Sequence, residues 1–289
     1  MTLLSLITDI NDALRGLEDV PASGTDEYNL WVRVANRKKD EWARDPKQHW
    51  ASNFTSTPLE VGTVATTGTT TLTGTGTYFT DYRVGDQITV DGETVRTIAT
   101  ITSDTVLTVT VAFSNTASSL TFSRTTIVAT GVQTYSLNRN LFLPSDTAYV
   151  TTTDDDDIDY TVVKPQDRET DASQVHISGR HPQVLTFVDE IVSTDQIVGG
   201  TLVVPGYHLP ADLSDDTDLI PVDDPRWLTY AVASEIAFND VTYEDKYVDL
   251  NTKANALYLS MIQANRQGTS DNPRTLKTNV KRIRGTEVA

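Results

Sequence analysis

Apolar residues at intervals of three and four predict two amphipathic helices near the start of the chain. The first stripe runs from Leu3 to Leu17. The second runs from Tyr28 to Trp42 and ends before Pro46, because proline does not continue a helix. Both helices have one apolar face, so each is expected to pack against other helices of the same chain.

The segment from Pro225 to Arg266 predicts a helical hairpin. Asp223 and Asp224 place an acidic cap before Pro225, and proline suits the first helical turn because its missing N–H costs nothing there. The apolar positions of the two stripes are Trp227, Leu228, Ala231, Val232, Ile236 and Phe238, followed by Tyr247, Leu250, Ala254, Leu257, Tyr258, Met261 and Ile262. The linker is short, so the two helices must be antiparallel and are expected to bury these positions against the N-terminal helices.

The pattern changes at Leu59, where the chain becomes rich in Thr, Gly and Val up to Phe122. These residues suit short strands, and Asp91–Gly92 predicts a type I′ hairpin turn. We interpret residues 59–124 as a small all-β domain, a barrel or a sandwich, inserted into the rest of the chain. Its two ends are expected to lie close together, because inserted domains enter and leave at one place.

From Thr125 to Tyr207, apolar and polar residues alternate in further short strands. The predicted strands are 133–137, 148–151, 158–163, 174–178, 183–188 and 200–204. Their short connections predict a central antiparallel β region. The fold class is therefore α+β. The predicted domains are 1–58 (N-terminal helices), 59–124 (inserted β domain), 125–222 (central β region), 223–268 (C-terminal helical hairpin, in a bundle with the first helices) and 269–289 (a basic arm).

Charge excludes several classes of protein. The 289 residues carry a formal net charge of −17, which argues against proteins that coat nucleic acid and against docking on anionic membranes.

The chain has no cysteine, so disulfide and thiol chemistry are excluded. No apolar run approaches the roughly 20 residues that span a bilayer. We expect a protein that is soluble and intracellular when it is made.

Candidate chemistry is weak throughout the sequence. Asp154–Asp157 with Asp159 lack the glycine and glutamate of a calcium loop, and the aspartates between Asp212 and Asp224 suit turns and helix caps. The four histidines lack zinc-site spacing, and no Gly-x-Ser-x-Gly occurs. We therefore predict no catalytic residue, no cofactor and no metal site, and we expect that the protein is not an enzyme.

Four basic residues lie on or beside the polar face of the second helix: Arg37, Lys38, Lys39 and Arg44. Two interpretations are open. They form a solvated helix face, or they contact an acidic partner.

Several segments resemble the head-to-tail adaptors of tailed bacteriophages, including the tail tubular kind. These segments are 199–210, 216–218, 220–222, 225–228, 233–238 and 253–258. The similarity lies in their order along the chain, and it covers both terminal helical regions and the strands after Thr125. Residues 61–122 resemble a separate small β module that is common in phage structural proteins.

The resemblance implies a structural virion protein that forms a ring of twelve copies beneath the portal protein and joins it to a tail or nozzle protein. DNA would pass through the bore without specific binding, and an acidic wall would repel its phosphates. The protein would be assembled in the host cytoplasm and located in the neck of the virion. The alternative is a surface-binding or decoration protein, because Thr-rich β domains often bind carbohydrates or act as adhesins.

The C-terminal arm, residues 269–289, reverses the charge of the chain. From Arg274 onward it has five basic residues and one acid. Three apolar residues at spacings of four and three share one face if the arm becomes helical on binding. We predict that the arm binds the portal or an adjacent subunit through Arg274, Leu276, Lys277, Val280, Lys281, Arg282, Ile283 and Arg284.

Overall fold

The chain is mixed α+β, as predicted, with four α-helices and a sheet of 13 strands among the described residues. The structure, a computed structural model, describes residues 1–16, 19–45, 47–163, 171–179 and 182–268. It divides into two compact units. The helical unit consists of Met1–Lys39 with the chain from Leu213, and the β-rich unit is Asp40–Asp212.

The helices lie where the apolar stripes predict them. They are α1 (Leu3–Arg15), α2 (Asp26–Ala43), α3 (Pro225–Asn239) and α4 (Tyr247–Gly268). Thr2 caps α1 by accepting a hydrogen bond from the Ser5 N–H, and α1 ends at Gly16, whose φ of 75° suits glycine. Leu17 and Pro46 lie outside the described residues. No helix among the described residues is long and apolar enough to cross a membrane.

α3 and α4 form the predicted antiparallel hairpin. Trp227 near the start of α3 contacts Tyr258 in the second half of α4, with ring centroids 5.7 Å apart. Phe238 at the end of α3 contacts Tyr247 at the start of α4, at 5.2 Å. The order of these contacts requires opposite helix directions. A 3-10 turn, Val241–Lys246, connects the two helices.

In the core of the helical unit, α3 lies between α1 and α4 and packs against both. The buried residues of this core include Leu6, Ile10, Leu14, Trp31, Trp227, Ile236, Leu250 and Met261. Five positions of the hairpin stripes are not buried as expected. Phe238 is 67% exposed, because it lies in the last turn of α3. Tyr247, Leu257, Tyr258 and Ile262 are half-buried.

The four basic residues on or beside α2 differ in their exposure. Arg37 and Lys38 both pair with Glu235 of α3, and the Lys38 Nζ lies 3.1 Å from its carboxylate. Lys39 is fully buried. Arg37 and Arg44 are exposed, which fits a solvated face, and a contact with an acidic partner outside the chain stays a prediction.

We predict that Asp224 stabilises α3 as its N-cap. Its carboxylate accepts the Arg226 N–H at 3.0 Å, and its ion pair with the Arg226 guanidinium lowers its pKa. Asp224→Ala is expected to lower the free energy of unfolding by about 1 kcal/mol. Urea denaturation measures this loss. The matched control is Asp223→Ala, one residue earlier and exposed, which should change little. Equal losses in the two variants would refute the capping role.

The β-rich unit contains sixteen strands among its described residues. They are β1 (Phe54–Thr55), β2 (Thr63–Thr67), β3 (Thr71–Thr75), β4 (Gln87–Val90), β5 (Arg96–Ser103), β6 (Val106–Val109), β7 (Thr116–Leu120), β8 (Phe122–Ile127), β9 (Thr134–Ser136), β10 (Leu141–Pro144), β11 (Thr147–Thr151), β12 (Asp157–Val163), β13 (Gln174–Gly179), β14 (Gln183–Phe187), β15 (Thr201–Val203) and β16 (Gly206–His208). A small sheet has the order β1-β16-β10.

The large sheet has the order β7-β2-β3-β6-β5-β4-β8-β15-β11-β12-β13-β14-β9. The prediction of an antiparallel region holds except for one pair, because β12 and β13 are parallel. Parallel neighbours need a connection that returns the chain to the same end of the sheet, which a tight hairpin turn does not provide. The strands β2 to β7, which all lie in residues 59–124, occupy one side of the sheet and join the rest through β8.

Two hydrophobic cores lie in the β-rich unit. One is built from residues between Val64 and Phe122, and the other from residues between Val128 and Leu202. Their boundary matches the predicted end of the inserted domain, but the hydrogen-bonded sheet is continuous across it. A separate barrel or sandwich therefore stays a prediction.

The turn between β4 and β5 differs from its prediction. Glu93 donates its N–H to the Val90 carbonyl at 2.9 Å, so residues 90–93 form a β-turn. A type I′ turn needs positive φ at both central residues. Gly92 has a φ of 74°, but Asp91 is not among the described residues with positive φ. Positive φ at the second central residue alone is the pattern of a type II turn.

Candidate interaction surface

The predicted binding arm, residues 269–289 with all eight residues assigned to portal or subunit binding, lies outside the described residues. The surface closest to it in sequence is the hairpin of α3 and α4. We call residues 238–249 of this hairpin, the end of α3, the turn and the start of α4, the hairpin tip.

The hairpin tip exposes large apolar side chains. Phe238 is 67%, Val241 is 87% and Val248 is 71% exposed. The ring contact between Phe238 and Tyr247 places an aromatic pair at the same end of the hairpin. Clusters of exposed apolar residues on a folded surface are typical of contacts with another protein.

Contacts with α1 fix the position of the tip. The Arg15 Nε donates to the Tyr243 hydroxyl at 2.7 Å, and its guanidinium lies 5.8 Å from the centre of the Tyr243 ring. The Lys246 Nζ donates to the Leu14 carbonyl at the end of α1. The turn therefore presents its apolar side chains from a defined position, which lowers the entropic cost of binding.

Acidic residues surround the apolar side chains of the tip. These are Asp240, Glu244, Asp245 and Asp249, all exposed. Asp240 accepts the Thr242 N–H at 2.9 Å, which lowers the pKa of its carboxyl, and Asp249 pairs with Lys253 at 2.7 Å. Glu244 and Asp245 have no ion pair among the described residues. The tip is an apolar patch with an acidic rim, which suits a ligand that is both basic and apolar.

A second polar site lies within the β-rich unit, where the predicted inserted domain begins and ends. Glu60 donates its N–H to the Phe122 carbonyl at 2.9 Å, and its carboxylate lies 3.3 Å from the Arg124 Nε. The Asn138 side chain donates to the Leu59 carbonyl at 2.9 Å. The expectation that Leu59 and Arg124 lie close together is confirmed.

Arg124 connects this junction to its surroundings. Its side chain is 4% exposed and lies 4.5 Å from the centre of the Tyr82 ring. It donates to the Ser136 carbonyl at 2.7 Å and to the Asp81 carbonyl at 3.2 Å. Burial raises the pKa of the Glu60 carboxyl, and the charge of Arg124 offsets part of this effect. Each charge therefore stabilises the other, and removing one would leave the other buried without a partner.

His208 lines a cavity of about 60 Å³ beside this ion pair, together with Ser56, Glu60, Arg124, Asn138 and Leu141. His208 is 7% exposed, and neither ring nitrogen has a hydrogen-bond partner among the described residues. Burial lowers the pKa of His208 to about 4, so the imidazole is neutral at pH 7. The cavity is large enough for a few water molecules.

The acidic loops have structural roles. Thr152 accepts the Asp156 N–H at 3.2 Å in the hairpin turn between β11 and β12, where Asp155 has a φ of 62°. In the later loop, Asp218 accepts a hydrogen bond from the Ser214 N–H at 2.7 Å. Asp216 accepts a hydrogen bond from the Tyr28 hydroxyl. Burial and this hydrogen bond raise the pKa of Tyr28 to about 12. Within the described part of the chain, no group of three or more His, Asp or Glu is arranged to hold a metal ion.

The exposed hairpin tip, the ion pair at the junction and the burial of His208 were not predicted by the sequence patterns, for different reasons. The helical spacing assigned Phe238 to a buried face, although Asn239 and Asp240 indicated the end of the helix. The ion pair joins residues 64 positions apart, and no local pattern signals such a contact. Burial of His208 follows from its position on β16, a strand that the patterns did not predict.

No known family model matches the chain, and no curated protein matches it at a significant level.

Proposed function

We propose that this protein is a head-to-tail adaptor of a tailed bacteriophage. In this proposal it is a structural virion component and not an enzyme. Twelve copies form a ring beneath the portal protein, and the other side of the ring contacts a tail or nozzle protein. The ring belongs to the neck of the virion and is assembled in the host cytoplasm.

The observation that carries the proposal is that the helical unit is built from both ends of the chain. Helices from both ends of the chain form one compact unit, and the 173 residues between them form another. The resemblance to adaptors implies the same order along the chain: N-terminal helices, then strands, then C-terminal helices. Three of the six segments that carry the resemblance, 225–228, 233–238 and 253–258, lie in the hairpin of α3 and α4.

We include the finer features of the predicted fold in this proposal. The four helices act as one bundle, which is supported by the packing of α1 and α4 on α3 and by the ion pairs of α2 with Glu235. Residues 59–124 act as an inserted β domain, which is supported by their own hydrophobic core and by the Glu60–Arg124 pair at their ends.

The charge of the chain supports a passage for DNA. A net charge of −17 with 40 acidic residues repels phosphates, so a ring of such chains lets the genome pass without binding it. Twelve copies would strengthen this repulsion.

A truncation after Gly268 tests the role assigned to the arm. The shortened protein should keep its helical circular dichroism signal, because the described helices end at Gly268. It should bind purified portal rings at least about tenfold more weakly than the full chain, and with less dependence on salt, because it lacks five basic side chains. Binding curves at two salt concentrations measure both effects. Unchanged affinity would contradict direct binding of the arm to the portal.

A further inference from the structure

The hairpin tip has an apolar patch without a partner among the described residues, and the arm has the matching chemistry. We infer that the tip binds the C-terminal arm of a neighbouring copy of this chain. The inference rests on the proposed ring, because it needs copies that lie side by side, and it assigns a contact between them.

The charges of the two segments are complementary. The tip carries four acids, Asp240, Glu244, Asp245 and Asp249, and one base, Lys246, which donates to the Leu14 carbonyl. From Arg274 onward the arm carries five bases and one acid. The opposite charges of arm and tip orient the arm, and the like charges of two tips repel each other.

The apolar residues are complementary as well. Leu276, Val280 and Ile283 follow one another at spacings of four and three, so in a helix they share one face. The tip offers Phe238, Val241 and Val248 as three exposed apolar side chains. An amphipathic segment that covers an apolar patch is a common mode of recognition.

Geometry favours a neighbouring copy over the same chain. α4 has 22 residues, so its end at Gly268 lies about 33 Å from its start at the tip. Residues 269–275 connect Gly268 to Leu276, the first of the three apolar residues, and this connection spans at most about 29 Å when fully extended. To reach its own tip the arm must turn back along α4 with this connection nearly fully extended, whereas the tip of a neighbour does not require such extension.

The absence of cysteine in the sequence permits a direct test in the full chain. Val241→Cys and Val280→Cys are made as separate variants with tags of different mass, mixed and oxidised with copper phenanthroline. A disulfide then joins only different copies. The Cα atoms must approach to within about 7 Å, so the mixed product reports direct contact between tip and arm. Both changes are small, and Val241 is 87% exposed, so folding should be retained.

Leu259→Cys is the matched control, because Leu259 is also exposed on the hairpin but lies about 16 Å along α4 from Val248. We expect the mixed product of Val241→Cys and Val280→Cys to exceed that of the control by about fivefold or more, and to fall in about 1 M salt. Equal yields, or no mixed product, would overturn the inference.

The same samples separate this inference from the proposed function. The mass of the unmodified protein before oxidation reports whether a ring forms. A ring without the mixed disulfide overturns the docking site alone. Disulfides between copies without a ring would support the docking site and argue against the adaptor.

Discussion

Replacing Arg124 with Met should lower the free energy of unfolding of the β-rich unit by about 3–5 kcal/mol. The change leaves the Glu60 carboxylate without its cation, in a position where its side chain is 6% exposed. It also removes the donors to the Ser136 and Asp81 carbonyls. Urea denaturation followed by circular dichroism measures the loss.

Two comparisons identify the cause of this loss. Lys253→Met breaks the exposed pair with Asp249 and should leave the free energy of unfolding almost unchanged. Adding Glu60→Gln to Arg124→Met removes the unpaired charge and should recover part of the loss. In the single variant the deficit should shrink as pH falls, because burial raises the pKa of Glu60 and the carboxyl takes up a proton. A deficit below about 1 kcal/mol would show that the pair does not hold the junction.

His208 should make the protein less stable in acid. Its pKa is about 4 in the folded chain against the ordinary 6.5, so between these values the unfolded chain binds a proton that the folded chain does not. Stability is therefore lost as pH falls from about 6.5 to about 4, by about 3 kcal/mol in total, and the loss levels off below this range.

His208→Gln isolates this effect, because all other titrating groups are unchanged. The difference in free energy of unfolding between the natural chain and the variant, measured in urea at several pH values, should change by about 3 kcal/mol across the range. A difference that is constant with pH would mean that His208 does not titrate as its burial requires.

Local patterns predicted the helices well because their signals lie within a few residues. The spacing of apolar residues located α1 and α2, and Asp224 with Pro225 marked the start of α3. Alternation located most strands between Thr125 and Tyr207 in the same way. These signals depend on periodicity and capping, which are properties of neighbouring residues.

Long-range features could not be predicted in this way. The parallel pairing of β12 with β13 depends on the path of the connecting chain, and the continuous sheet depends on β8 lying between β4 and β15. The Glu60–Arg124 pair and the burial of His208 arise only when distant strands meet. Phe238 shows the limit of periodicity, because its spacing is that of a buried residue but the helix ends beside it.

The mass of the purified protein, alone and mixed with portal protein, tests the central claim most directly. Twelve copies of a 31.8 kDa chain give a ring of about 380 kDa. Mass photometry should find this ring, alone or on the portal, and a larger complex when portal is present. A protein that remains monomeric, with no complex in the presence of portal, would contradict the adaptor function.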